Sequence, residues 1–370
     1  MFLEKEGKLI YSYDGETVCI EAWGKDALRV RATKNRSFTG RDWALEAKDA
    51  HAGEVEIFED PSAKGGAFAN MYEGTDTSYG KITNGKLHAV IDSGSVITFY
   101  HEDGRVLLKE HFRRLRDEES MPLNIMGREY SNGVGDNFRI VARFVARKGE
   151  KIFGMGQYQQ HELDLKGCML ELAQRNSQVS VPFYLSSIGY GFLWNNPGVG
   201  QVMFANNGTE WVTESGKEID YLVIAGDTPA EIEENYMTLT GKPPMMPEYG
   251  MGFWQCKLRY WNQEQLLSVA RKYKELGVPL DVIVVDFFHW TKQGEFKFDP
   301  KYWPDVPGMC RELKEMGIQV VVSVWPTVDI YSENFEEMKE KGYLVRTEHG
   351  VPLTMLCGGN EVFFDATNPD

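Results

Sequence analysis

Residues 279–290 have the sequence Pro-Leu-Asp-Val-Ile-Val-Val-Asp-Phe-Phe-His-Trp, and this stretch decides the fold of the second half of the chain. It predicts a strand from Leu280 to Val285 whose last four residues are all aliphatic. A continuous aliphatic run is typical of a parallel strand that is covered on both faces. Asp286 follows the run directly, so the strand is predicted to end on a carboxylate.

The alternation of a short strand with a helix continues on both sides of this stretch. Strands are predicted over residues 249–254 and 318–324, and helices are predicted to begin at Asn262, Asp305 and Ser332. Each of these three residue types can cap a helix N-terminus with its side-chain oxygen. Three βα units in succession predict a parallel α/β domain.

Residues 1 to about 225 show the period-2 pattern of β-strands instead. Apolar and polar residues alternate over residues 18–22 and 28–32, which predicts half-buried strands. The segments 96–100 and 106–108 flank a glycine-containing turn and predict a hairpin. Many short strands separated by turns predict an antiparallel β-sandwich.

The boundary between the two patterns is predicted at the linker Gly241-Lys242-Pro243-Pro244. A helix precedes it, starting at Asp227-Thr228-Pro229, where Asp or Thr would cap the N-terminus. The predicted protein is therefore multidomain. An N-terminal antiparallel β-sandwich with a terminal helix and linker occupies residues 1–240, and the first part of a (β/α)8 TIM barrel occupies residues 241–370.

The barrel portion is shorter than a whole barrel. A complete (β/α)8 barrel takes ~250 residues, whereas about 125 residues follow the linker. We therefore expect the chain to stop in the middle of the barrel and the sequence to be part of a longer one.

Composition argues against several classes of function. The formal net charge is −15, and an acidic surface repels phosphate backbones, so no nucleic-acid partner is expected. No run reaches the ~18 apolar residues of a membrane span, and the N-terminus does not resemble a signal peptide. We therefore expect no membrane partner and a cytoplasmic location. An acidic surface neither requires nor forbids a homo-oligomer.

Cofactor and metal signatures are missing from the sequence. Five cysteines are scattered without CxxC pairs, so neither a disulfide framework nor a metal site is expected. Gly154-Met155-Gly156 lacks the other residues of a phosphate-binding loop, so no cofactor is expected. The cysteines are Cys19, Cys168, Cys256, Cys310 and Cys357.

Functional residues of a parallel barrel lie at the C-terminal ends of its strands, and here these ends are rich in aromatic residues. They are predicted at 253–257, 286–290 and 325–327. A carboxylate after an aliphatic run is costly unless it meets hydrogen-bond donors, which sugar hydroxyls, an arginine or a backbone turn could provide. Aromatic rings can pack on the apolar faces of a pyranose, although a barrel also needs bulky core residues. The resulting candidates for substrate binding are Asp286, Phe287, Trp290 and Trp325.

These stretches resemble glycoside hydrolase family 31, and within it the α-xylosidase branch. The resemblance is carried by GFWQCKLRY (252–260), PLDVIVVD (279–286) with Trp290, FDPKYWPD (298–305), SVWP (323–326) and FDATNP (364–369), and in the sandwich by FGMGQ (153–157) and PFYLSS (182–187). It implies that Asp286 hydrogen-bonds the sugar that occupies the −1 subsite. It also implies that Trp325 and the segment near Lys257 line this subsite, with Trp290 in the loop beside it.

The resemblance further implies a retaining, exo-acting α-glycosidase acting on an oligosaccharide. In such an enzyme one carboxylate attacks the anomeric carbon and a second protonates the leaving oxygen and then activates water. Both are expected C-terminal to Asp370, so no catalytic residue is assigned here. The 370-residue segment alone is expected to be inactive.

Three functions are compatible with this sequence. An α-xylosidase is the first expectation, and an α-glucosidase of the same family is the alternative. The two substrates differ by a CH2OH group at C5, and the sequence does not show which side chain fills that space. A non-catalytic carbohydrate-binding relative is the hypothesis from a different class of protein.

Overall fold

The computed structural model describes residues 1–46, 49–59, 78–111, 126–347, 349–355 and 360–370. They form two compact units, Met1–Pro243 and Pro244–Asp370. Of the cysteines named above, Cys357 lies outside the described residues. Within these ranges, no helix is both long enough and apolar enough to cross a membrane.

The first unit is built almost entirely from antiparallel strands. Its elements are β1 (Phe2–Lys5), β2 (Lys8–Tyr13), β3 (Glu16–Trp23), β4 (Ala27–Thr33), β5 (Ala50–His51), β6 (Glu54–Glu59), β7 (Ser78–Asn84), β8 (Leu87–Ile91), β9 (Ile97–His101), β10 (Val106–Lys109), β11 (Arg128–Asn132), β12 (Phe138–Phe144), β13 (Ile152–Gln157), β14 (Met169–Leu172), β15 (Val179–Ser186), β16 (Tyr190–Trp194), β17 (Gly200–Ala205), β18 (Gly208–Gly216), β19 (Ile219–Ala225) and helix α1 (Pro229–Thr240).

These strands form three sheets around a common core. The largest has the order β1-β2-β3-β4-β19-β16-β15-β13, with β5 paired to β3. The other two have the orders β10-β9-β8-β7-β6 and β11-β12-β18-β17-β14. One cluster of buried apolar residues takes members from all three sheets, among them Ile20, Phe99 and Trp211. The predicted β-sandwich and the β9–β10 hairpin are therefore confirmed.

Aromatic rings fill the centre of this core. The ring centroid of Trp211 lies 5.1 Å from that of Phe192 and 5.6 Å from that of Trp194. All three side chains are fully buried. The indole N–H of Trp194 donates to the Thr213 hydroxyl at 3.0 Å, which satisfies a polar atom that burial would otherwise make costly.

The prediction that β3 and β4 are half-buried is wrong, because both faces of these strands are covered. Helix α1 packs Ile232 and Leu239 into a second apolar cluster that also contains Trp23. The polar residues of the alternating pattern are buried as ion pairs. Arg29, for example, donates to both carboxylate oxygens of Asp220 at 2.7 and 3.0 Å.

The second unit contains the predicted parallel strands and helices. Its elements are a 3₁₀ helix (Glu248–Met251), β20 (Trp254–Gln255), α2 (Gln263–Glu275), β21 (Val282–Val285), α3 (Val306–Glu315), β22 (Gln319–Val322), β23 (Thr327–Asp329), α4 (Phe335–Glu340) and β24 (Glu361–Phe363). β20, β21 and β22 pair in parallel in that order, as expected for the first strands of a barrel. β23 and β24 form an antiparallel pair that the sequence did not predict.

Three of the predicted helix caps are confirmed. In the first unit, the Thr228 hydroxyl accepts from the Glu231 N–H at 3.2 Å. The Asn262 side chain accepts from the Gln265 N–H at 2.9 Å, and Asp305 accepts from the Gly308 N–H at 2.9 Å. Each bond satisfies one backbone donor that has no partner within the first turn of its helix.

Two of the predicted elements need correction. Most of the strand predicted over 249–254 is the 3₁₀ helix, which follows Pro247 and ends where the Gly252 N–H donates to the Tyr249 carbonyl. The third helix begins at Phe335 rather than at Ser332. Ser332 lies in a turn, and its carbonyl accepts from the Phe335 N–H. Both errors concern short segments, where turn hydrogen bonds outweigh local pattern.

Candidate functional site

The predicted binding residues follow three strands that end at one edge of a parallel sheet. Trp254 is paired with Val282, and Val285 with Val322. The Ser323 N–H continues this pairing by donating to the Val285 carbonyl at 2.9 Å. The segments that leave β20, β21 and β22 are consequently brought close together.

Asp286 is half-buried at the end of β21. One carboxylate oxygen accepts from the Phe287 N–H at 2.8 Å, and the other lies 3.7 Å from the Cys256 sulfur, which donates to it. Among the residues that the structure describes, no Lys, Arg or His side chain pairs with this carboxylate. Three kinds of donor were predicted for Asp286. An arginine does not fill this role among the described residues, and the backbone turn supplies one hydrogen bond, from the Phe287 N–H. Acceptor positions remain for a ligand.

Cys256 is the residue here that the sequence did not single out as a partner of Asp286. Burial, followed by the neighbouring Asp286, raises the pKa of the Cys256 thiol. The protonated thiol is therefore favoured, and it is the form that can donate to a carboxylate. The sequence shows that Cys256 directly follows β20. Its contact with Asp286 could not be predicted, because that contact depends on the register of β20 against β21.

Aromatic rings form a cluster in the segments that follow the strand ends, with Phe287, the residue after Asp286, at its centre. The centroid of the Phe287 ring lies 4.7 Å from that of Trp325 and 6.1 Å from that of Trp290. Its other neighbour is Phe288, at 3.8 Å. The structure therefore brings four of the five predicted residues together: Asp286, Phe287, Trp290 and Trp325.

A cavity of about 210 Å³ lies beside this ring cluster. Trp290, Trp325, His289 and Phe298 contribute to its lining, whereas Asp286 and Phe287 do not. The walls are mostly apolar, which suits the C–H face of a sugar or another apolar surface.

His289 is buried between the rings of Trp290 and Phe298, at 4.7 and 4.8 Å. Its Nδ1 lies 3.3 Å from the backbone oxygen of Asp286. Burial lowers the pKa of His289, and the Asp286 backbone partly opposes that shift. The imidazole therefore favours the neutral form and supports the turn that carries Asp286.

Lys257 is placed differently from the other four predicted residues. Its side chain is exposed and contacts none of the aromatic rings described above. Its backbone carbonyl accepts from the Cys256 thiol at 3.6 Å. A role for Lys257 in substrate binding stays a prediction.

Groups of three or more His, Cys, Asp or Glu side chains that could hold a metal ion do not occur within the described ranges. The polar side chains gathered at the strand ends are instead one carboxylate, which accepts hydrogen bonds, and one thiol, which donates one. This set is suited to hydrogen bonding with a hydroxylated ligand.

Family profiles match both units of the chain. The one described as Glycosyl hydrolases family 31 TIM-barrel domain matches residues 243–370. The one described as Glycosyl hydrolase 31 N-terminal galactose mutarotase-like domain matches residues 17–202.

Individual relatives support the same grouping. The chain is 42% identical to an uncharacterized family 31 glucosidase, ORF2, of Pseudescherichia vulneris, over 99% of this chain and 68% of that protein. It is 36% identical to an α-xylosidase of Saccharolobus solfataricus, over 56% of this chain and 30% of that protein. It is also similar to the crystal structure of a GH31 α-xylosidase from a soil metagenome complexed with xylose. That match has a TM-score of 0.88 and 46% identity, and it covers all of this chain and 53% of the other. The chain thus spans about half the length of the solved relative.

Proposed function

The chain belongs to glycosyl hydrolase family 31, and from this premise we propose that it is part of a retaining, exo-acting α-glycosidase, an α-xylosidase. The observation that carries the proposal is the Asp286 carboxylate. It lies half-buried at a strand end, has no cationic partner among the described residues, and accepts a hydrogen bond from the Phe287 backbone N–H.

In this proposal the chain's own residues hold the terminal sugar. Asp286 accepts hydrogen bonds from its hydroxyls, and a carboxylate acceptor makes such bonds stronger than neutral ones. Phe287, Trp290 and Trp325 present ring faces to its C–H groups. Cys256 keeps the Asp286 carboxylate oriented by donating to its second oxygen.

We assign neither the nucleophile nor the acid/base to residues 1–370. Double displacement needs two carboxylates ~5–5.5 Å apart on opposite sides of the anomeric centre. The two carboxylates are expected C-terminal to Asp370, and the segment 1–370 is expected to be inactive alone.

The deciding experiment compares hydrolysis of p-nitrophenyl α-xyloside and p-nitrophenyl α-glucoside by the protein that contains this chain. We expect a higher kcat/KM for the xyloside, because two of the similar proteins are named α-xylosidases. A clear preference for the glucoside would contradict the α-xylosidase assignment and leave the family assignment intact.

An α-glucosidase is the second candidate, because the relative that shares 42% identity is named a family 31 glucosidase. Glucose differs from xylose by one CH2OH group, and a pocket discriminates such a change by only ~1–3 kcal/mol. Measurable activity on both substrates is therefore expected whichever is preferred. Binding of xylose without hydrolysis of either compound would instead favour a non-catalytic carbohydrate-binding protein.

A further inference from the structure

Helix α2 contacts the segment that contains β20 through one tyrosine, Tyr273. The Tyr273 hydroxyl donates to the side-chain oxygen of Gln255 at 2.8 Å. The centroid of the Tyr273 ring lies 5.9 Å from that of Phe253, and the two rings are stacked. The Tyr273 side chain is thus fixed at both its ring and its hydroxyl, and it is half-buried.

Gln255 connects this tyrosine to the residue that follows β20. Its side-chain N–H donates to the Cys256 carbonyl at 3.2 Å. The last residue pair of the β20–β21 ladder is Gln255 with Ile283, so Cys256 lies just beyond the ladder. The amide of Gln255 can accept and donate at once, and it therefore orders the backbone where the regular strand pairing ends.

Cys256 connects these contacts to Asp286. Successive side chains of an extended segment point to opposite faces, and here Gln255 meets α2 while the Cys256 thiol meets the Asp286 carboxylate at 3.7 Å. The Lys257 carbonyl lies 3.6 Å from the same sulfur. A thiol has one hydrogen to donate, so a small change in the backbone at Cys256 shifts the balance between these two acceptors.

We propose that Tyr273 and Gln255 are positioning residues for Asp286. The Tyr273 hydroxyl fixes the Gln255 amide, the amide fixes the backbone at Cys256, and the Cys256 thiol orients the carboxylate that accepts hydrogen bonds from the sugar. Small displacements of a group that holds the substrate are costly to the reaction rate. This inference rests on the proposed function and extends its site to a helix that does not contact the sugar.

The test uses the protein that contains this chain and two conservative variants. Tyr273→Phe removes one hydroxyl and retains the ring that contacts Phe253, and Gln255→Met removes the amide from a side chain of similar length. The substrate is whichever of p-nitrophenyl α-xyloside and p-nitrophenyl α-glucoside the unchanged protein hydrolyses faster. We expect kcat/KM to fall about three- to tenfold in each variant, because each loses hydrogen bonds that fix Cys256.

A double-mutant cycle with Asp286→Asn distinguishes positioning from a general effect on the fold. If Tyr273 acts through the Asp286 carboxylate, Tyr273→Phe should change kcat/KM by less than about twofold once that carboxylate has been replaced. Equal losses with and without the carboxylate, or no loss in either case, would overturn the proposal. Gln255→Met gives a second, independent cycle and decides the question if Tyr273→Phe does not fold.

A matched control lies on the same helix. The Ser268 hydroxyl donates to the Gln265 carbonyl at 2.8 Å, so Ser268→Ala removes a hydroxyl hydrogen bond from α2 that does not reach β20. Its kcat/KM should stay within about twofold of the unchanged protein, and thermal unfolding would verify that each variant is folded. A loss as large as that of Tyr273→Phe would assign the effect to the helix as a whole and refute the positioning role.

Failure of the proposed function has a different signature. An unchanged protein that hydrolyses neither compound would overturn the proposed glycosidase, and the same cycle would then be measured as the Kd for xylose by calorimetry. A weaker Kd in Tyr273→Phe that disappears in the Asp286→Asn background would support the positioning role. An equal Kd in Tyr273→Phe and the unchanged protein would refute it, and so would the absence of xylose binding by the unchanged protein.

Discussion

At the residue scale, the position of Asp286 rests on several short-range contacts. The backbone N–H of Phe287 and the thiol of Cys256 each occupy one of its oxygens, and buried His289 supports its backbone carbonyl. None of these partners carries an opposite charge in the state that its surroundings favour. The carboxylate is thus oriented without being neutralised, which leaves it able to accept hydrogen bonds from a hydroxylated ligand.

Replacing Asp286 by Asn tests this arrangement. A hydrogen bond to a charged group contributes ~1.5–3 kcal/mol, so kcat/KM for p-nitrophenyl α-xyloside should fall about 10- to 150-fold. Steady-state kinetics of the protein that contains this chain would measure the loss. Glu340→Gln removes an exposed carboxylate on α4 and serves as the control. If the Asp286→Asn variant were as active as the control variant and the unchanged protein, Asp286 would have no role in binding.

His289 makes the stability of this region depend on pH. Burial lowers its pKa below the ordinary 6.5, so the unfolded chain binds a proton more readily than the folded one. The stability contributed by neutral His289 is fully present above pH 6.5 and is lost as the pH falls through the lowered pKa.

The free energy of unfolding is expected to fall when the pH is lowered from about 7.5 to 5.5. In the His289→Asn variant this decrease should be smaller than in the unchanged protein. Denaturant unfolding at the two pH values would measure it, with His161→Gln, at an exposed histidine, as the control. A variant that loses as much stability as the unchanged protein over this interval would show that His289 titrates normally.

At the element scale, the second unit depends on how its helices and strands begin and end. α2 and α3 are amphipathic and are capped by Asn262 and Asp305. Their buried residues Leu266, Met309 and Leu313 pack with Ile283 and Val285 of β21 in one cluster. The caps and this cluster position the strand ends that carry the candidate site.

Removing one cap should weaken the unit by a predictable amount. Asp305→Ala deletes the acceptor for the Gly308 N–H and should lower the unfolding free energy by about 0.5–2 kcal/mol. Asp305→Asn keeps a side-chain oxygen at this position and should cost much less. Urea denaturation distinguishes the two, and equal losses would mean that the capping bond is not what Asp305 contributes.

At the scale of the whole molecule, the charge of −15 coexists with a candidate site whose Asp286 carboxylate has no cationic partner among the described residues. A neutral saccharide does not respond to the net field of the protein, whereas a charged ligand does. The salt dependence of the reaction therefore reports on the class of substrate.

We expect kcat/KM for p-nitrophenyl α-xyloside to change by less than about twofold between roughly 0.02 and 0.5 M NaCl, because charge steering acts only on charged ligands. Circular dichroism at each salt concentration would check that the fold is retained. A change of tenfold or more would indicate a charged substrate and contradict the assignment of a neutral sugar.

Local pattern predicted much of this fold because hydrophobic periodicity and capping residues act over a few neighbours. The aliphatic run Val282–Val285 and the caps Asn262 and Asp305 are confirmed for that reason. The segment 249–254 and Ser332 were assigned wrongly, since turn hydrogen bonds decide such short stretches. The burial of Arg29 on the polar face of β4 depends on Asp220, which comes 191 residues later in the chain.

From the sequence alone it follows that a β-sandwich precedes parallel βα units and that Asp286 and several aromatic residues lie at strand ends. Which of these residues meet depends on the folded chain. It brought Cys256 to Asp286 and Arg259 between Trp261 and Phe288, and it left the Lys257 side chain in solvent. The reason is physical: strand ends are specified locally, but contacts across them depend on sheet register and on backbone angles such as the positive φ of Phe288.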